Sequence, residues 1–131
     1  MEHRRNDEVG WADAPADHFT GSVRFGPHVD DHGEQTDINV LGVEFQPGAR
    51  TDWHSHPGGQ ALYVVDGTAR VGVDGGDVIE AGPGDAVWAP PGEMHWHGAG
   101  PDGTMTHLSI THLGSTEWTD RKVTDEEYGV R

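Results

Sequence analysis

The sequence predicts an all-β protein, built as a sandwich or barrel of short strands. Apolar and polar residues alternate over short stretches, which is the pattern of half-buried strands. The chain has 131 residues, of which 20 are glycine and 8 are proline, and these residues mark turns between the stretches. A helical turn is predicted only near the end, with Thr124 as its N-cap. Many short strands joined by tight turns are typical of a sandwich or barrel.

The strands follow one another in a regular order. Residues 1–16 are polar, and we expect a flexible arm there, followed by a single domain at residues 17–131. His18–Phe25 alternates and predicts a strand, and Gly26–Asp37 is rich in turn residues and predicts a loop. Asp37–Phe45 is apolar on both faces, which suits a strand between the barrel interior and a second sheet or a partner subunit. Further strands are predicted at Ala61–Val65 (buried), Thr68–Val73, Val78–Glu80, Ala86–Ala89 and Met105–His112.

The composition excludes several classes of partner. The formal charge of −15 argues against nucleic acid, which requires a basic surface, and against anionic membranes. No apolar stretch is long enough to span a membrane, and no apolar region of a signal peptide follows the charged first residues. Cysteine is absent, so disulfides and thiolate chemistry are excluded. We expect a cytoplasmic protein with a small-molecule substrate.

Two histidine pairs are the strongest chemical signal. His54 and His56 are separated by one residue, and His95 and His97 repeat that spacing. Residues i and i+2 of a strand point to the same face, so each pair can direct both imidazoles at one point. A lone histidine is more often structural, but two such pairs beside Gly/Pro turns indicate a metal site formed by His54, His56 and His95.

The spacing around these pairs resembles the cupin family. The first motif reads Gly48-x5-His54-x-His56-x3-Gln60-x6-Gly67, and the second reads Gly84-x5-Pro90-x-Gly92-x2-His95. The resemblance implies a double-stranded β-helix, which is a small jelly-roll barrel, with Gln60 as a fourth metal ligand. The sequence departs from the family pattern at two positions: Gln60 replaces the usual glutamate, and Ala99 replaces the usual asparagine.

A narrower group is similar over nearly the whole chain, from about Ala16 to Tyr128. The small manganese-dependent cupin hydroxynitrile lyases share the segments Phe19–Gly21, Pro47–Thr51, Trp53–Pro57, Pro91–Glu93, His95–Ala99, Met105–Leu108 and Val123–Glu126. This resemblance implies Mn(II) as the metal and a catalytic histidine at His107. It would lead us to expect a smaller residue at Leu41 and a longer amide at Thr111.

The expected ligand set favours Lewis-acid chemistry. Three neutral imidazoles and the amide oxygen of Gln60 leave the charge of a divalent ion uncompensated, which favours electrophilic work over redox cycling. Four protein ligands leave two positions of an octahedral ion open. Such nitrogen and oxygen ligands suit Mn, Fe, Co, Ni or Zn alike, and only the resemblance selects manganese.

Two further histidines are candidates for catalysis. His97 points inward by its parity with His95, and a structural role and a functional role are both open for it. His107 is the base that the resemblance implies, and a nearby dication would keep its imidazole neutral. The pocket is expected to be lined by Leu41, Val43, Thr51, Leu62, Val64 and Thr111. All five tryptophans are interpreted as packing residues, with Trp53 and Trp96 pointing away from the metal.

Three functions remain open at this point. The first is a lyase that cleaves or forms cyanohydrins, with the metal as Lewis acid and a histidine as base. The second is another metal-dependent cupin enzyme, such as a dioxygenase, an isomerase or a decarboxylase, because fold does not settle function. The third is a non-catalytic cupin that binds a small molecule. A homodimer or a higher even homo-oligomer is expected, because unpaired edge strands need covering.

Overall fold

The computed structural model describes residues 1–30 and 37–129, and over these residues the predicted all-β jelly roll is confirmed. All strand pairs are antiparallel. In this part of the chain the strands are β1 Ala12–Asp13, β2 Phe19–Thr20, β3 Val23–Val29, β4 Asn39–Phe45, β5 Arg50–Thr51, β6 His54–Ser55, β7 Gln60–Asp66, β8 Ala69–Val73, β9 Val78–Ala81, β10 Ala86–Ala89, β11 His95–Ala99, β12 Met105–Thr111 and β13 Glu117–Trp118. Short 3-10 helices lie at Asn6–Glu8 and Ala16–His18, and α1 spans Asp125–Tyr128.

Two sheets form the barrel. The first has six strands in the order β1-β3-β4-β12-β7-β10. The second follows the order β13-β6-β11-β5-β2, and β8 joins it by pairing with β11 and with β9. The main core cluster brings together side chains of both sheets, because each sheet buries one face against the other. Its buried members are Val23, Val43, Phe45, Ala49, Val64, Ala69, Ala81, Ala99 and Met105.

A second, smaller cluster attaches the C-terminal segment to the second sheet. Trp53 and Trp96 pack there with Val123 and Tyr128, so these two tryptophans face away from the barrel interior, as predicted. The predicted cap of α1 is also present, since the Thr124 side chain accepts a hydrogen bond from the Glu127 backbone N–H. The Tyr128 hydroxyl donates to the backbone carbonyl of Ala99 at 2.5 Å. The helix α1 therefore packs against the outer side of β11.

The predicted loop at Gly26–Asp37 is wrong in its first part, because the strand β3 extends to Val29. It continues through Gly26 to Val29 and pairs with β4, with Gly26 opposite Gly42. A Cβ on Gly26 would lie 2.5 Å from the Trp11 ring, so this glycine makes room for an aromatic side chain inside a strand and does not mark a turn. Residues 31–36 of the predicted loop lie outside the described part of the chain.

The segment predicted as an arm contacts this same sheet. Ala12 and Asp13 pair with Phe25 and Arg24, and Val9 is buried. The flexibility of residues 1–16 and the domain boundary after them stay predictions. Among the described residues, no helix is both long and apolar enough to cross a membrane.

The prediction that the strand Ala61–Val65 is buried is wrong for one of its two faces. Ala61–Val65 was expected to be buried, but only one face of β7 is: Leu62 and Val64 are 2% and 1% exposed, whereas Tyr63 and Val65 are 45% and 50% exposed. An antiparallel sheet can pack one face and leave the other open. Trp88 on the neighbouring β10 is 58% exposed, so more than half of this side chain is not buried by the chain itself, although its ring lies against Gly59. The homo-oligomer stays a prediction.

Candidate metal centre

The four predicted metal ligands lie close together in the buried part of the protein. The strands β6 and β11 pair so that His54 stands directly opposite His95. Their ring centroids are 4.5 Å apart, and the His56 ring lies 5.0 Å from His54 and 5.7 Å from His95. Gln60, the first residue of β7, reaches the same point, with its Oε1 atom 2.8 Å from His95 Nε2. All four side chains are buried.

Backbone carbonyl groups orient two of these imidazoles. His54 Nδ1 lies 2.8 Å from the carbonyl oxygen of Asp52, and His95 Nδ1 lies 2.9 Å from that of Glu93. A carbonyl oxygen only accepts, so each Nδ1 carries the proton and each Nε2 of the neutral ring keeps a lone pair. Burial lowers the pKa of both rings, and the neighbouring His95 lowers the pKa of His54 further. Both imidazoles are therefore neutral and present Nε2 to the centre of the cluster.

The donor set fits a cation. The Nε2 atom of His95 and the Oε1 atom of Gln60 converge at 2.8 Å, and a cation bound by both atoms would stabilise two acceptors at that distance. The buried Nε2 atom of His56 has no hydrogen-bond partner within the described ranges. Unpaired buried acceptors cost free energy, and a divalent metal is the group that would use all of them.

His97 is a further potential ligand at this centre. Nitrogen atoms of His54, His95 and His97 lie within 4.8 Å of one another. This trio shares two members with the predicted set and contains His97 where the prediction has His56. Gln60 and His56 contact the same cluster, so the arrangement offers more donors than one ion needs. The exact ligand set stays a prediction.

The candidate bases His97 and His107 form a hydrogen-bonded pair. His107 Nε2 lies 2.8 Å from His97 Nδ1, and both side chains are buried beside Phe45. Burial lowers the pKa of His107 to about 4, although a contact to its own backbone opposes the shift. Burial lowers the pKa of His97 well below its ordinary value, and repulsion from a protonated His107 lowers it further. The pair is therefore neutral near pH 7.

These depressed pKa values predict a pH-dependent stability for the metal-free protein. His107 has a pKa of about 4 in the folded protein, whereas a histidine in the unfolded chain has a pKa of about 6.5. Its contribution to the free energy of unfolding is therefore fully present above about pH 6.5. That contribution is lost as the pH falls from about 6.5 towards 4, because the unfolded chain then binds more protons. For His107 the loss amounts to about 3 kcal/mol in the free energy of unfolding. Urea unfolding from pH 7.5 to 4 measures it.

The matched control for that titration is His107→Gln, which keeps a polar side chain without an imidazole. Its free energy of unfolding should fall less steeply than that of the wild type over the same pH range. Equal slopes for both proteins would show that His107 does not carry the depressed pKa.

A cavity of about 170 Å³ opens beside the histidine cluster. Four of the six predicted pocket residues line it, namely Leu41, Val43, Thr51 and Thr111. Leu62 and Val64 do not: they are buried on β7, and Val64 belongs to the main core cluster. His97 also lines the cavity, whereas His107 is fully buried behind it. The remaining lining residues are Phe19, Phe25, Asn39, His54, His56, Gln60, Ser109, Thr116 and Trp118.

Trp118 is one of the cavity residues that sequence reasoning missed. The strand β13 pairs with β6 and places Trp118 opposite His54, with the two ring centroids 4.7 Å apart. On another side, Trp118 stacks on His18 at 4.4 Å. Its interpretation as a packing residue is therefore incomplete, because it also forms a wall of the cavity. No local pattern indicates this, because Trp118 meets His54 only through the pairing of β13 with β6, two strands that lie far apart in the sequence.

Comparison with known proteins agrees with this geometry. The cupin-domain family Cupin_2 matches residues 42–111. A protein named (R)-mandelonitrile lyase from Granulicella tundricola is 44% identical over 131 residues, which cover 98% of each chain.

Solved structures show the same fold. A cupin-like protein from Thermotoga maritima has a TM-score of 0.85 and 42% identity, with 92% of each chain covered. The polyketide cyclase RemF from Streptomyces resistomycificus has a TM-score of 0.76 with 22% identity, covers 98% of this chain and 90% of its own, and supports the fold alone. By its family match, its relatives and its barrel, this chain is a member of the cupin family.

Proposed function

We propose that this protein is a metal-dependent lyase that cleaves α-hydroxynitriles into a carbonyl compound and HCN, and forms them in the reverse direction. The observation that carries the proposal is the buried His97–His107 pair, hydrogen-bonded at 2.8 Å, beside a cluster of neutral histidines and a small cavity. The name of the relative that is 44% identical, (R)-mandelonitrile lyase, supports the same reaction class.

The residues that would hold the metal are His54, His56, Gln60 and His95. Mn(II) is the metal that we propose, and Fe, Co, Ni or Zn would suit the same donors. When bound, a divalent ion supplies Lewis acidity, which polarises a substrate oxygen and stabilises negative charge.

The histidine pair supplies the base. His97 lines the cavity, so the hydroxyl proton of the substrate would reach the pair at this ring. His107 lies behind His97 and shares the hydrogen bond between Nδ1 and Nε2, so it can hold the tautomer of His97 and stabilise the charge that develops. As the O–H bond breaks, the C=O bond forms and the C–CN bond breaks. Cyanide leaves with the electron pair and takes up the proton as HCN, so the reaction needs no oxidant or reductant.

The direct test is cyanide release from racemic mandelonitrile by protein of known metal content. We expect release above the background rate, in proportion to bound manganese, and no release above background from the His54→Ala variant. Fully metallated protein that releases no cyanide from several cyanohydrins would contradict the proposal. Oxygen uptake or isomerisation of a small organic substrate would then favour another cupin enzyme, and ligand binding without turnover would favour a binding protein.

A further inference from the structure

The side chain of Gln60 is held from two sides. Its Nε2 atom donates a hydrogen bond to Ser109 Oγ at 2.7 Å, and its Oε1 atom lies 2.8 Å from His95 Nε2. Both residues are buried, with Gln60 3% and Ser109 8% exposed. The neighbouring strands β7 and β12 bring them together, because Gln60 pairs with Thr111 and Ser109 lies two residues away on the same face.

The orientation of this amide matters for a metal site. A glutamine side chain has nearly the same shape when its oxygen and nitrogen exchange places, but only the oxygen has lone pairs that can bind a cation. The exchanged orientation would direct two N–H groups at the metal position. A partner that accepts the N–H bond on the far side leaves the oxygen free to face the cluster, and Ser109 Oγ occupies that place.

Gln60 differs in this respect from two of its neighbours. His54 and His95 are oriented by the backbone carbonyls of Asp52 and Glu93, which the fold supplies whatever the side chains are. The amide N–H group of Gln60 instead donates to a side-chain hydroxyl group from another strand. Groups that orient metal ligands affect metal affinity although they do not touch the ion.

We propose that Ser109 is a positioning residue, which holds the Gln60 amide with its oxygen towards the metal. This inference rests on the proposed metal-dependent function, but it concerns the affinity for the metal and not the reaction. Removal of the Ser109 hydroxyl would leave a buried amide N–H without its partner and would release the rotation of the amide.

The test is a double-mutant cycle with Mn(II) affinity as the readout. Affinity is measured by competition with a metal indicator for the wild type, Ser109→Ala, Gln60→Ala and the double variant. We expect Ser109→Ala to weaken Mn(II) binding by about 10–100-fold. In the Gln60→Ala background the same change should cost nothing further, because the amide on which Ser109 acts is gone. Ser109→Thr, which keeps the hydroxyl, should bind Mn(II) close to the wild-type affinity.

Three results would overturn the role of Ser109. The first is an unchanged affinity in Ser109→Ala, and the second is an equal loss with and without Gln60. The third is a Ser109→Thr variant that binds as weakly as Ser109→Ala. Thermal unfolding of the metal-free variants separates a loss of affinity from a loss of fold. Failure of the proposed reaction can be distinguished from failure of this inference. A wild-type protein that binds Mn(II) but releases no cyanide would contradict the proposed lyase activity, and the double-mutant cycle on Mn(II) affinity would still test the role of Ser109.

Discussion

Replacement of His107 by glutamine is expected to lower cyanohydrin cleavage by about 10²–10⁴-fold while the bound manganese is retained, because the pair of His97 and His107 acts as one general base and a general base usually contributes this much. His107 lies in contact with His97, not among the four proposed ligands, and its Nε2 atom is 2.8 Å from His97 Nδ1. Glutamine keeps a polar group of similar length but does not accept a proton near pH 7. Cyanide release and metal content, measured on the same preparation, give the result. Retained turnover would remove His107 from the mechanism.

The alanine variant should show the same loss of turnover with an added loss of stability, because a fully buried ring leaves a cavity when it is removed. His28→Gln is the matched control, since His28 contacts the backbone of Gly26 at 2.7 Å and does not line the cavity. It should cleave at the wild-type rate.

The two histidines of the pair should behave as one unit. If His97 receives the proton and His107 supports it, His97→Gln should be about as inactive as His107→Gln, and the double variant should be no worse than the worse single variant. Such non-additivity is expected of groups that act in one step. Losses that multiply in the double variant would show that the two rings act independently.

Removal of a metal ligand is the other change that we expect to have a large effect, both on Mn(II) affinity and on turnover. Both His54→Ala and His56→Ala should weaken Mn(II) binding by more than about 100-fold, the upper range for residues that only orient a ligand, and should abolish turnover. His54 is oriented by the Asp52 carbonyl, and His56 has a buried Nε2 atom without a hydrogen-bond partner in the described ranges. Each variant thus removes one lone pair from the centre.

The variant His97→Ala distinguishes between two sets of histidine ligands. Both contain His54 and His95, and the third member is either His56 or His97. Its ring belongs to the group whose nitrogens lie within 4.8 Å, yet its Nδ1 atom already contacts His107. We expect this variant to retain manganese and to lose turnover. Loss of manganese in His97→Ala with retention in His56→Ala would replace the predicted ligand His56 by His97. Competition titration with a metal indicator distinguishes these outcomes without any substrate.

The sequence by itself determined the strands and the direction of many of their side chains. Side-chain parity along a strand is a local property of the backbone, so the His-x-His spacing sufficed to turn His54 and His56 to one face and to turn Trp53 and Trp96 away from their neighbouring histidines. Turn residues similarly located most strand ends. The same local reasoning failed at Gly26, where the absence of a side chain serves the packing of Trp11 and not a turn.

Only the tertiary structure decided which groups from distant strands meet. The contact between His97 and His107, the packing of the tilted Trp118 ring beside His54, and the hydrogen bond from Gln60 to Ser109 all join different strands. The exclusion of Leu62 and Val64 from the cavity has the same origin, because parity shows that a side chain points inward but not which part of the interior it reaches. Pairing register and the packing of two sheets set these distances, and both are properties of the whole barrel.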